Sequence, residues 1–333
     1  MELAIPWPLP PMLAKLAREL PRDGYLYEPK WDGFRCLVFR DGDDVDLRSR
    51  NQRPLGRYFP ELVSALRELP VERFVLDGEI VAADFESLLR RLHPAASRVD
   101  RLSVETPASF VAFDLLLSGA DDVRARPFLE RRRLLEQLFA RAKPPLALTE
   151  VTDDERRASV WLDARNGIDG VVAKHRDLRY EPGARAMVKV KRERTADCVV
   201  AGFRWLADRP LPSSLLLGLY DDVGALHHIG IASSFAHARR RRLLEEIGPH
   251  VVELEGHPWE HGFLLGGGPT GKLPGAAGRW EPGMTQDWVP LAPLLVCEVA
   301  FDQVDGHRLR HPARFRRWRP DRDAGTCSLA QLG

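Results

Sequence analysis

The sequence predicts an α+β chain: a mixed first domain of antiparallel sheets with flanking helices, followed by a small β-barrel. Three observations carry this. Up to about residue 192, short segments of alternating polarity are interleaved with runs whose apolar residues recur at helical spacing. Near Thr195 the pattern changes to short strands and turns with a single helix. The 333 residues suffice for two domains, and 44% hydrophobic content supplies their cores. The boundary is placed so that the domains comprise residues 1–196 and 197–333.

In chain order, Met1–Arg22 carries Pro-Pro-Met-Leu-Ala, a short helical pattern and Pro21. Tyr25 to Glu28 reads as extended, and Lys30 falls on the turn after it. Phe34–Arg40 is a strand, Asp41-Gly42 a hairpin signal, and Val45 and Leu47 mark the partner strand. Leu62, Leu66 and Leu69 lie on one face of a helix that starts at Pro60 and stops at Pro70. Phe74–Val81 is a strand holding Asp77-Gly78-Glu79, and Phe85–Leu92 a short helix. Ser109–Leu117 is an apolar strand containing Phe113. Phe128–Ala142 is an amphipathic helix with Leu134, Leu135 and Leu138 in the core, and Arg131 to Arg133 are expected to be solvated. Asp154–Arg165 is a further helix capped by Asn166-Gly167, and Ile168–Lys174 a strand. Strict alternation in Met187–Lys191 puts Lys189 and Lys191 on one face.

In the second half, Cys198–Phe203, Leu215–Tyr220, Leu226–Ile231 and Leu294–Phe301 read as strands, and Phe235–Ile247 as a basic helix. His261–Met284 is a loop rich in glycine and proline. Short strands with one helix make an OB-fold the natural form of the barrel.

Composition excludes several classes. No run is long and apolar enough to span a bilayer. Met1–Pro11 lacks a basic segment followed by an apolar one, so no signal peptide is expected. Cys36, Cys198, Cys297 and Cys327 form no C-x-x-C pair, which fits a reducing cytoplasm. The formal net charge is only +1, so nucleic-acid binding would rest on local clusters such as Lys189–Arg194, Arg239–Arg242 and Arg308–Arg322.

One set of residues stands at or beside strand ends: Lys30, Arg35, Arg50, Glu79, Phe113, Asp169, Lys189 and Lys191. It combines a nucleophile, arginines, carboxylates, an aromatic ring and lysines. A lysine attacks only as the free amine, so it needs burial or neighbouring cations to shed its proton near neutral pH. Phosphoryl chemistry asks the protein chiefly for positioning and charge neutralisation. Carboxylates would hold Mg²⁺ or Mn²⁺ and an aromatic would stack on a purine.

In the same order the chain resembles the motifs of covalent nucleotidyltransferases. Glu28-Pro-Lys30-Trp-Asp-Gly-Phe-Arg35 looks like motif I, and Ser49-Arg50-Asn51 like motif Ia. Leu76–Ile80 looks like motif III, Phe110–Leu115 like motif IIIa, and Asp169–Val172 like motif IV. Val188–Lys191 looks like motif V, and Arg317–Arg322 like motif VI. Pro11–Ala14, Tyr25–Arg35, Arg57–Pro60 and Phe315–Arg322 resemble ATP-dependent DNA ligases of the bacterial LigC type, which are minimal ligases without a separate N-terminal DNA-binding domain.

That resemblance implies an adenylation domain followed by an OB-fold, with ATP as adenylate donor. Lys30 would become adenylated, pass AMP to the 5′-phosphate of a nick in double-stranded DNA, and let the 3′-hydroxyl seal it. Glu28 would contact adenine, Phe113 would stack on it, and Arg35 and Arg50 would meet ribose or phosphates. Glu79 would bind the ribose hydroxyl or metal, and Asp169 the metal. Lys189 and Lys191 would hold the α-phosphate, with Lys191 helping Lys30 to lose its proton. Arg317, Arg319, Asp321 and Arg322 would orient pyrophosphate. A cytoplasmic monomer, nucleoid-associated during repair and working with DNA-repair proteins, is expected. Two departures stand out: Asp169 where the family usually has Glu, and Arg322 where it commonly has Lys.

An RNA ligase or a GTP-using capping guanylyltransferase shares the motif set and is the alternative. Gly266–Lys272 spells a P-loop fragment, but Leu273-Pro274-Gly275 forbids the helix that a P-loop must open. His227-His228 are not at ligand spacing, and the second-domain tryptophans read mostly as packing residues. Arg239–Arg242 reads equally as a phosphate-contacting or a solvated face.

Overall fold

The computed structural model describes residues 2–5, 7–163, 167–260 and 288–332. The expected helix cap at Asn166, the end of its helix at Arg165, Trp280 and the Gly266–Lys272 fragment lie outside these. Contacts divide the chain into Met1–Arg192 and Glu193–Gly333. This is four residues ahead of the boundary expected from sequence, because the first barrel strand already begins at Arg194.

The first unit opens with β1 (Ala14–Ala17), β2 (Tyr25–Trp31), β3 (Phe34–Asp41) and β4 (Asp44–Ser49). Then come α1 (Pro60–Arg67), β5 (Arg73–Val81), α2 (Phe85–Arg91), α3 (Ala96–Glu105), β6 (Ser109–Ser118) and β7 (Asp121–Asp122). It closes with α4 (Phe128–Phe139), β8 (Leu146–Leu148), α5 (Glu155–Asp163), β9 (Ile168–His175) and β10 (Met187–Val190). One sheet has the order β1-β10-β9-β2; the other runs β4-β3-β5-β6-β7, with β8 on β6. The short helix expected before Pro21 is instead β1, whose backbone pairs in parallel with β10 and overrides a weak local preference.

Period-two alternation decides which side chains share a face. Tyr27, Val171, Ala173, Val188 and Val190 turn to Ala158 and Trp161 of α5. Leu37, Phe39, Val75 and Leu116 of the second sheet pack with Met12, Tyr180 and Met187. The other side of that sheet packs Val38, Leu76, Phe110 and Leu115 against Leu62 and Leu66 of α1 and Leu135 and Leu138 of α4. Asp32-Gly33 carries the chain from one sheet to the other. Only glycine fits there, since a Cβ at residue 33 would overlap the Ile80 carbonyl oxygen.

The expectation of a solvated Arg131 to Arg133 is overturned for two of the three. Arg131 is fully buried and Arg132 nearly so. Arg131 forks onto Asp114 at 2.8 and 2.9 Å and donates to the carbonyls of Arg126 and Leu178. Arg132 reaches Glu136 and the Thr149 carbonyl. These partners satisfy the Arg131 donors and the Nε and Nη2 of Arg132, which burial would otherwise leave costly, while Arg132 Nη1 has no hydrogen-bond partner among the described residues.

The second unit contains β11 (Arg194–Leu206), β12 (Arg209–Tyr220), β13 (Leu226–Ser233), α6 (His237–Ile247), β14 (Val289–Phe301), β15 (Val304–Asp305), β16 (Arg308–Leu309) and β17 (Ala313–Trp318). Its main strands close in the order β11-β12-β13-β17-β14, the five-stranded barrel expected of an OB-fold. Cys198, Val200, Phe203, Leu217, Leu243 and Trp259 lie in its core. Two arginines of the basic helix fold back onto their own unit. Arg239 pairs with Glu246 at 2.8 Å, and Arg240 donates to the Ser213 carbonyl at 3.0 Å.

Candidate active site

A cleft of the first unit is lined by Glu28, Lys30, Arg35, Arg50, Glu79, Phe113, Lys174 and Lys189. Their placement follows from the strands. Glu28 and Lys30 are two apart on β2 and share a face. Lys189 is on β10, and Lys191 follows directly after that strand.

Lys30 is not on a turn. It is the penultimate residue of β2, opposite an irregularity in β9. The register passes from Pro29–Val171 to Trp31–Ile168, so one residue of β2 faces both Asp169 and Gly170. This is a β-bulge, and Gly170 has a φ of +126°. Strict alternation would turn Asp169 to the α5 side with Val171 and Ala173. The bulge lets its Oδ2 accept from Lys30 Nζ at 2.6 Å and approach Lys191 Nζ at 2.5 Å.

Arg35 spends its fork on Asp77, with two bonds of 2.6 Å, and also donates to the Met12 carbonyl. Tyr180 donates to the same Asp77 at 2.6 Å. Burial disfavours the Arg35 charge, but Asp77 more than offsets this and holds the group firmly protonated. The Arg35 guanidinium carbon lies 4.5 Å from the Phe113 ring centroid. Glu79 Oε1 accepts from the Gly33 N–H at 3.2 Å. Burial raises the Glu79 carboxyl to about 7, against the opposing pull of Arg35 and Lys30. Burial lowers Lys189, with Lys191 and Lys30 adding to the effect. The cleft thus gathers cations round a small number of carboxylates, as polyphosphate binding requires.

Among the described residues no cluster of three metal-ligating side chains occurs. Glu79 and Asp169 supply carboxylate oxygens, the donor type a hard cation takes, with Asp169 Oδ2 on Lys30 and Lys191 and Glu79 Oε1 on the Gly33 N–H. The motif VI residues belong to the second unit. Arg317 pairs with Glu298 at 2.7 Å, Arg319 donates through Nη1 to both oxygens of Asp197 and forks through Nε and Nη2 onto Asp321, and Arg322 approaches Asp197 at 3.4 Å. Arg319 and the backbone N–H of Asp321 lower the Asp321 carboxyl to about 2.

Sequence reasoning did not give Asp77, Asp114, Lys174 or Tyr180 a place in the site. Lys174 was the findable one, since it shares a strand face with Val172 at the end of an apolar run.

Largely antiparallel sheets around a lysine-centred cationic cleft, followed in the chain by a separate five-stranded barrel, define the covalent nucleotidyltransferase class. A family model for the ATP dependent DNA ligase domain matches residues 11–191, and one for the ATP dependent DNA ligase C terminal region matches 208–322. The chain is 49% identical over 342 residues to DNA ligase C2 of Mycolicibacterium smegmatis, covering 100% of this chain and 96% of that protein. It is 48% identical over 345 residues to DNA ligase C of Mycobacterium tuberculosis, with the same coverage. A solved Lig E DNA ligase shares the fold, with a TM-score of 0.56 at 17% identity, covering 92% of this chain and 99% of that one. The chain belongs to the ATP-dependent DNA ligase family, in its LigC branch.

Proposed function

We propose that Lys30 is the acceptor of AMP from ATP, in a ligase that seals 5′-phosphate/3′-hydroxyl nicks in double-stranded DNA during repair. Nζ, as the free amine after its ammonium proton has passed to solvent, attacks the α-phosphorus; a P–N bond forms, the bond to the β-phosphate oxygen breaks, pyrophosphate leaves, and the nitrogen gives its second proton to solvent. The observation that carries this reading is the position of Lys30 Nζ, 2.6 Å from Asp169 in a cleft otherwise rich in cations. Asp169 holds the amine in place before attack, and Lys189 and Lys191 neutralise the α-phosphate. Phe113 and Glu28 take the adenine, Arg50 takes a phosphate, and Glu79 takes the ribose. Mg²⁺ or Mn²⁺ held by Glu79 and Asp169 would neutralise phosphate charge. Arg317, Arg319, Asp321 and Arg322 orient the leaving pyrophosphate. AMP then passes to the 5′-phosphate of the nick, and the 3′-hydroxyl displaces it to form the phosphodiester.

Incubation with α-labelled ATP and a divalent cation should label the chain covalently, and Lys30→Ala should abolish the label. A wild-type chain that takes up no label, or a Lys30→Ala chain that keeps it, sinks the reading. Sealing of nicked RNA but not nicked DNA would move the substrate to the RNA-ligase alternative.

A further inference from the structure

Where β2 and β9 run side by side, the cleft is floored by an ion pair in which the chemistry above uses Glu28 but gives its partner, Lys174, no role. Lys174 is 1% exposed and Glu28 2% exposed. Lys174 Nζ lies 2.9 Å from Glu28 Oε2 and donates to the Phe113 carbonyl at 2.9 Å. Asp114 Oδ2 stands 3.9 Å away, and the Phe113 and Phe128 ring centroids lie 4.9 and 4.5 Å from the same nitrogen. The ammonium is therefore turned to protein groups. The other carboxylate oxygen, Glu28 Oε1, is buried and has no hydrogen-bond partner, although Glu28 lines the cleft. A native fold rarely strands a buried acceptor without a use for it.

We infer that Lys174 is a positioning residue that sets base specificity, by holding Glu28 as an ionised acceptor whose Oε1 is reserved for the exocyclic amine of adenine. The inference rests on the reading of this cleft as the adenylate site. Burial pushes the Glu28 carboxyl upward toward the neutral form, and Lys174 is the strongest opposing influence, followed by Arg132. Adenine offers an N–H donor at its 6-position, and a carboxylate oxygen accepts from it. Guanine offers a carbonyl oxygen there, which would set lone pair against lone pair in a buried place. Without the Lys174 ammonium, Glu28 takes up a proton and becomes a donor, which suits guanine instead. Sites built around a buried hydrogen bond can discriminate by roughly 10⁴–10⁵-fold.

The test uses the full chain as wild type, K174M, E28Q and the double variant. For each, the preference for ATP over GTP is read twice: from the rate of covalent labelling with α-labelled nucleotide, and from nucleotide-induced thermal stabilisation. Wild type should prefer ATP. K174M and E28Q should each lose at least about tenfold of that preference, and the double variant should lose no more than the greater single loss, since Lys174 acts through Glu28. A merely structural role would depress both nucleotides alike and leave the ratio unmoved. A folded K174M with the wild-type ratio, or a double variant losing the product of the single losses, overturns the inference. If K174M does not fold, E28Q decides, because an undiminished ATP preference there removes the role given to Glu28. If wild type labels with neither nucleotide, the reading of Lys30 falls, and the thermal-shift ratio still tests Glu28 and Lys174.

Discussion

Lys30 and Asp169 face each other across a β-bulge, with Nζ and Oδ2 2.6 Å apart and Lys191 Nζ on the same oxygen at 2.5 Å. The bulge is what gives a strand residue a carboxylate partner that its alternation would have sent to the other face. Removing the charge without changing the shape should therefore release the nucleophile from its place. Charge-assisted hydrogen bonds contribute about 1.5–3 kcal/mol each. Asp169→Asn should slow covalent labelling from α-labelled ATP by about 10–100-fold while unfolding near the wild-type temperature. Labelling at the wild-type rate would show that Asp169 does not position Lys30.

Arg35 depends on Asp77 in a different way. Asp77 is fully buried and takes both arms of Arg35 as well as the Tyr180 hydroxyl. Removing Asp77 leaves the Arg35 charge, whose side chain is 21% exposed at the cleft, without its charge-assisted bonds, at a cost of about 1.5–3 kcal/mol. Asp77→Asn should lose stability on that scale in urea unfolding. It should also weaken ATP labelling, because Arg35 is held 4.5 Å from the Phe113 ring by this anchor. Asp77→Asn with wild-type stability would mean that the pair is dispensable.

The parts of the site that were legible in the sequence are those set by local period. Lys189 lines the cleft and Lys191 meets Asp169, as alternation in Met187–Lys191 requires. Phe113 follows from a strand pattern that the structure extends by one residue, to Ser118. What stayed hidden depends on residues distant in sequence. Arg131 looks solvated until β6 brings Asp114 beneath it, and Lys174 finds Glu28 only once β2 and β9 pair. Helix α3 begins at Ala96 behind an N-cap, Ala95, that has no side chain able to cap it, so it gave little local signal. The bulge at Asp169 could not be read either, because its cue, Gly170, is equally consistent with an ordinary strand end.

Gly33 offers a sharper test of how the strands deliver Lys30. Its N–H bonds Glu79, and a Cβ would overlap the Ile80 carbonyl and come within 3.1 Å of Glu79 Cγ. The obstructing atom is backbone of β5, paired on both sides, so it cannot step aside cheaply. Gly33→Ala should cost about 1–3 kcal/mol, read as a lowered melting temperature, and should slow labelling by displacing the link between β2 and β3. An unchanged melting temperature would show that the link has room to spare.

His228 gives the barrel an acid-sensitive element. It is fully buried on β13, with its ring edge-on to Trp259 at 5.4 Å. Burial, with the Arg308 and Arg204 cations adding, lowers its proton affinity from the ordinary 6.5 to about 3. Between those values the unfolded chain binds a proton that the folded chain refuses. Stability therefore rises with pH across that window and is lost as pH falls from about 6.5. Well inside the window a single such group contributes a slope of about 1.4 kcal/mol per pH unit. His228→Phe keeps an aromatic ring and removes the titration. Its stability, measured by urea unfolding at several pH values from about 4 to 7, should fall less steeply toward acid than wild type by about that slope, whatever its offset at neutral pH. Parallel curves for the two proteins would show that the acid sensitivity lies elsewhere.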